Sequence, residues 1–244
     1  MADGADVRGA RTLTPSVDTS LVTMLLPFVL SVTAGSVHVI SFQGLGGLFT
    51  ALVILAAHLV DGGTAAMAPM LSVPAFIAAL GLTRLLAAGL EIMRIASLRP
   101  LLALQVMLLS GMLLVCVTAG SEIDPNACNT IIAGMLGVAA MAVQNALVQI
   151  SLRGAPTTAV MTSNITRFVM DIGTMIFSRD PRDVSTARNR AQHTWPALVG
   201  FAVGCALGAA CQAAVGLLSL ALPASTALIP FALGFSIQHD GSAG

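Results

Sequence analysis

Apolar blocks along this chain cover residues 21–42, 48–60, 65–90, 100–118, 131–152, 157–177 and 197–237. A helical crossing of a bilayer takes about 20 apolar residues. The last block is therefore long enough for two passes, with a turn expected near Pro223, and block 48–60 is too short to cross comfortably. Six to eight hydrophobic elements result. None alternates with period two, and the bilayer offers no water to open backbone groups, so the elements should be helices. The expected fold class is all-α and polytopic. Residues 1–20 read as a polar tail with Arg8, Arg11, Asp3, Asp6 and Asp18. The block that follows is too long for a signal-peptide core and reads as an uncleaved first helix. A single membrane domain over 21–237 is expected, with halves at about 21–120 and 129–237, a short tail over 238–244, and no soluble domain at either end.

Composition agrees with the pattern. The chain is 56% hydrophobic and 9% charged, against about 25% charged residues in soluble domains, and its mean hydropathy is +0.91. The partner this implies is the lipid bilayer. A formal net charge of zero argues against nucleic acid. Cys116, Cys128, Cys205 and Cys211 lack metal-ligand spacing and read as small hydrophobes. His38, His58, His193 and His239 form no cluster, and phosphate loops and nucleophile elbows are missing. No cofactor, metal or catalytic residue is expected, and the chain does not read as an enzyme.

Block 157–177 differs from the others because it has crossing length yet carries Thr, Ser, Asn, Arg and Asp. Such groups at bilayer depth cost roughly 2 kcal/mol or more each unless they face protein or water. Thr158, Thr162, Ser163, Asn164 and Thr166 could line a polar path; equally, the hydroxyls could bond carbonyls one turn back while Asn164 bridges helices. Arg167 and Asp171 stand four apart on one helical face, as a structural pair, a snorkelling arginine, or a gate in which Asp171 titrates and releases Arg167. Gln144 and Asn145 precede this block by one helix. Adjacent amides point apart, so at most one is expected to face a shared cavity. His38 and Gln43 occupy the first-half counterpart of that region, where a lone histidine reads as a hydrogen-bonded packing residue. Arg84 and Glu91 read as snorkelling residues, Trp195 as an interfacial anchor, and 178–194 as a solvated loop. Gly200, Gly204 and Gly208 give overlapping GxxxG spacings for close helix packing, within the chain or in a homo-oligomer.

Lysine is missing, so eleven arginines set the orientation. Eight crossings would put Arg94, Arg99 and Arg153 opposite the N-terminus and the Arg179 to Arg190 loop. If 48–60 and 157–177 each leave and return on one face, six helices cross and all nine loop and tail arginines share that face. The second arrangement fits better and makes that face cytoplasmic. A shift of 108 residues superposes the hydrophobic blocks and aligns Ala34 with Ala142, Gly46 with Gly154 and Thr50-Ala51 with Thr158-Ala159. Three crossings per half would make this repeat inverted, and four parallel.

The segments AGSVHVISFQGLGGLFTA and MAVQNALVQISLRGAPTTAVMTSNITR resemble the YoaK-like family of bacterial inner-membrane proteins, over about 21–237. The resemblance implies a multi-pass protein of uncharacterised, transporter-like activity and supplies no catalytic residues. By that resemblance an acidic residue is usual where His38 stands, and a short polar segment that usually follows the first FTA is missing between Ala51 and Leu52. Two functional readings stand. One is a transporter or channel for a small polar solute or ion, using Gln144, Asn145, Thr158, Thr162, Ser163 and Asn164, with Arg167 and Asp171 for gating or coupling. The other is a structural or regulatory membrane protein that has lost its first-half motif.

Overall fold

The computed structural model describes residues 17–44, 67–119, 127–152, 156–158 and 161–239. Their elements are α1 (Val17–Gly44), α2 (Met67–Ile92), α3 (Leu98–Ala119), α4 (Cys128–Ser151), α5 (Met161–Phe177), α6 (Pro181–Val215), a 3₁₀ turn (Gly216–Leu220) and α7 (Ala221–His239). The described part of the chain has no strand. Five stretches are long and apolar enough to cross a membrane, and the longest, Pro181–Leu233, takes in both α6 and α7. Helix α1 begins inside the expected polar tail. Block 48–60, with His58, lies outside the described residues.

The break between the last two passes falls at Gly216, seven residues before the expected turn. Gly216 has φ +59, a left-handed backbone that a residue without Cβ adopts at little cost. Pro223 sits instead in the first turn of α7, where its missing N–H would have had no helical partner.

Three core clusters fix the direction of each helix. Leu26, Leu101, Leu102, Leu147 and Val148 pack at one end, with Phe231 against them. Ala34, Leu109, Ala140, Met141 and Ala227 pack at the middle. Ile40, Met112, Cys116, Ala133 and Leu220 pack at the opposite end, with Phe76 against them. Helices α1 and α3 therefore run from the first end to the opposite one, and α2, α4 and α7 run back. Ser97, before α3, meets Ser151 of α4 through their hydroxyls at 3.3 Å, again at the first end. Helix α1 ends and α2 begins at the same end, so the six long helices α1, α2, α3, α4, α6 and α7 alternate in direction, as six crossings would. Arg94, Arg99 and the arginines from Arg179 to Arg190 all fall at the first end.

Helix neighbours repeat in pairs. The pairing of α1 with α6 has its counterpart in α4 with α2, and that of α3 with α4 in α7 with α1, while α3 meets α7 and α1 meets α4. Exchanging α1 with α4, α2 with α6 and α3 with α7 leaves these pairings of the six long helices unchanged, and only the pairing of α5 with α6 has no counterpart among the described residues. Each exchanged pair runs in opposite directions. The halves are thus related by inversion, about an axis between α1 and α4.

The closest helix packing joins α1 to α6. A Cβ added at Gly200, Gly204 or Gly208 would run into the backbone of Phe28, Val32 or Ser36, and one at Gly35 into that of Phe201. These glycines are buried against α1, so the GxxxG face is spent within the chain and is not open to a second copy. Outward apolar side chains such as Ile77, Leu82 and Leu85 of α2 and Met107 of α3 are more than half exposed, as lipid contact requires.

Candidate functional site

The chain after α4 turns back into the bundle and plants Thr158 beside Gln144 and Asn145, two turns below the end of α4. Both amides reach it. Gln144 Nε2 donates to Thr158 Oγ1 at 3.1 Å, and Thr158 Oγ1 donates to Asn145 Oδ1 at 3.3 Å. Adjacent amides share one partner because the hydroxyl lies between the directions in which they point, contrary to the expectation that only one could face a common site. Gln144 is 0% and Thr158 3% exposed.

A third amide extends the cluster to α3. Gln144 Nε2 also donates to the Leu30 carbonyl at 2.9 Å, and a carbonyl only accepts, so this contact fixes the orientation of the Gln144 amide. Its Oε1 must then face Gln105 Nε2, which donates at 2.7 Å. Gln105 Oε1 is left buried without a partner among the described residues, as is Ser31 Oγ. Gln105 was not singled out from the sequence. Its signal was present as a lone amide in the most apolar described helix, and only the fold sets it against Gln144.

Helix α5 departs from expectation most. Residues 178–194 are not a loop beyond Asp180; Asp180 accepts from the Arg182 amide and caps α6, with Pro181 in its first turn. Helix α6 has 35 residues, about 52 Å at 1.5 Å per residue, against about 30 Å of hydrocarbon. Its polar first half therefore extends past the apolar bundle, and Trp195-Pro196 marks the boundary. Helix α5, with 17 residues, runs back along that polar half and is not among the stretches long and apolar enough to cross a membrane.

The expected Arg167–Asp171 pair does not form. Asp171 Oδ1 accepts from Arg190 Nη2 at 2.6 Å and from Nε at 3.1 Å. The i, i+4 spacing permitted the helical pair, but Asp171 faces α6 and Arg190 reaches it from there, while Arg167 projects from the exposed flank. Asn164 Nδ2 donates to the Thr157 carbonyl at 2.7 Å, which ties α5 to the segment carrying Thr158. A cavity of about 580 Å³ lies between this segment, α5 and α6, with Asn164, Arg167, Asp171, Arg190, Thr157 and Thr194 on its walls. Thr162 and Ser163 are exposed on α5 and belong neither to the cavity wall nor to the buried cluster.

Other residues keep quieter roles. His38 Nδ1 meets the Ala34 carbonyl at 2.7 Å and the ring lies edge-on to Phe201, a packing arrangement. Arg84 and Glu91 pair loosely at 3.9 Å in the open. All four cysteines are free, and among the described residues no three His, Cys, Asp or Glu side chains converge as a metal set would require.

Fold and site define an integral, polytopic helical membrane protein built of two inverted halves. The chain belongs to the family described as Protein of unknown function (DUF1275), which matches it over residues 26–233. No curated protein and no solved structure matches it.

Proposed function

We propose that the protein conducts a small polar solute or ion across a bacterial inner membrane, with segment 156–158 as a plug in its path. Thr158, hydrogen-bonded to Gln144 and Asn145 beside the axis of two inverted halves, is the observation that carries this reading. In such folds, solute sites form where polar or broken backbone meets the interface between halves. The plug would leave when α5 moves, because Asn164 holds the Thr157 carbonyl. Asp171 and Arg190 hold α5 to α6 and set how readily that happens, while Arg167 faces the approach. The arginine-rich end is cytoplasmic by the positive-inside tendency. Catalysis has no part in this reading, and resemblance to the YoaK-like family agrees with it.

A structural or regulatory role is the second reading. It is favoured by the near-complete hydrogen bonding among Gln105, Gln144, Thr158 and Asn145, since a closed polar network can serve only to fix helix register. Thiol labelling of T158C in a background without native cysteines separates the two, with T158S as the control for folding. Transport predicts reaction with impermeant reagents from both faces of the membrane. A folded T158C protein that never reacts from the face opposite the arginines would remove the transport reading.

A further inference from the structure

The cavity between α5 and α6 lies at the level where α6 changes from polar to apolar, which is headgroup depth for a membrane-spanning helix. Its charges do not cancel. Asp171 is engaged through one oxygen by two nitrogens of Arg190, whereas Arg167 on the same wall has no hydrogen-bond or ion-pair partner among the described residues. One uncompensated guanidinium remains. The Asn164 amide donates to Thr157, and its other contact among the described residues is the Met161 sulfur at 3.9 Å, a weak acceptor that a stronger one would displace. Among the described residues no further carboxylate lines the space. Beyond it, Arg179, Arg182 and Arg188 stand against Asp180 and Asp183 and keep the surroundings basic.

We propose that this cavity binds a phosphate group, held through the fork of Arg167 with Asn164 as a second donor. A guanidinium presents paired N–H groups whose spacing matches phosphate oxygens. The volume lies within the range of small-ligand sites and admits either free phosphate or the phosphate of an anionic lipid headgroup. Asp171 repels an anion only so far as Arg190 fails to neutralise it, so the ion pair is part of the site. The site stands independently of the transport reading, since a bound headgroup can anchor α5 in a protein that moves nothing.

The chain supplies its own reporter. Trp195 is the one tryptophan in a chain without tyrosine, it is 44% exposed, and it adjoins Thr194 on the cavity wall. Trp195 emission of the full chain in nanodiscs would be titrated with inorganic phosphate, at ionic strength held constant with chloride. It would then be compared between phosphatidylcholine and phosphatidylglycerol discs. A saturable change with phosphate assigns the free ion, and a change confined to phosphatidylglycerol assigns the headgroup. Either result supports the site if R167Q weakens it by about tenfold or more, the effect of losing one charge-assisted contact, while R182Q does not. Identical responses in wild type and R167Q, a response that chloride reproduces, or no response to phosphate or phosphatidylglycerol would overturn it. Arg167 is exposed and has no partner among the described residues to lose, so folding of R167Q is not in question.

Discussion

Gln144 and Gln105 differ in what their loss would leave behind. Gln144 serves Gln105, Thr158 and the Leu30 carbonyl, so Q144M strands a buried amide donor and uncouples the plug, at a cost of about 1–3 kcal/mol. Q105M strands the Gln144 Oε1 acceptor but takes away an acceptor that itself has no partner among the described residues, and leaves the bonds from Gln144 to Thr158 and Leu30 intact, so it should cost less. Thermal unfolding of the two variants in one detergent checks the order, and equal losses would contradict the larger share given to Gln144. At Asp171 the expectation is mechanical. D171N weakens the hold of Arg190 on α5 and should speed tryptic cleavage after Arg167, an exposed site in a chain whose missing lysines leave trypsin only arginines; added salt should do the same to wild type and little to D171N. The polar residues of this site were legible as a group, because Gln, Asn and Thr stand out from an apolar background. Their partners were not. Arg167 was the nearest cation to Asp171 along the chain, and the true partner lies nineteen residues away in a stretch whose charges read as a loop.

That stretch shows how an element can be misread when its polarity is judged alone. Residues 181–195 contain no helix breaker after Pro181 and hold alanines at 187 and 191, both buried. At 3.6 residues per turn they lie about half a turn away from Gly200, Gly204 and Gly208, so one unbroken helix carries two small-residue faces, of which the glycine face meets α1. Block 157–177 was likewise visible as a polar-bearing segment but was placed at bilayer depth. The block had crossing length, whereas the helix in it has 17 residues, and only the structure shows that it packs against the polar half of α6. The glycine line carries a prediction for elements. G204L puts a side chain where the Val32 backbone stands and must part α1 from α6. Overpacking of this kind costs about 1–3 kcal/mol or more, and should lower the melting temperature far more than G81L on α2, where added atoms meet open space.

For the whole molecule, six long helices in inverted halves were one of two arrangements the sequence left open, whereas the all-helical polytopic fold was legible from the apolar blocks, since lipid leaves helices as the spanning element. The axis was not, because it depends on which helices touch. The arrangement predicts that native Cys128, exposed at the start of α4, reacts with impermeant reagents from one side of the membrane. S178C, in a background without the other native cysteines, should react from the opposite side. Labelling of both from one side would refute the alternation of helix directions. The union of α1 with α6 also bears on how the protein is made. Gly35 of α1 accepts from Cys205 of α6, 170 residues later, which at ribosomal speeds of about 5–20 residues per second is a wait of roughly 10–30 s. Throughout that interval the nascent first helix sits in the membrane with Ser36 lacking α6, whose Gly208 packs on it, and Thr33 lacking the Thr226 hydroxyl of α7. Biogenesis should therefore depend on an insertase or neighbouring chain that shelters α1, and truncation before α6 should expose it to membrane proteases.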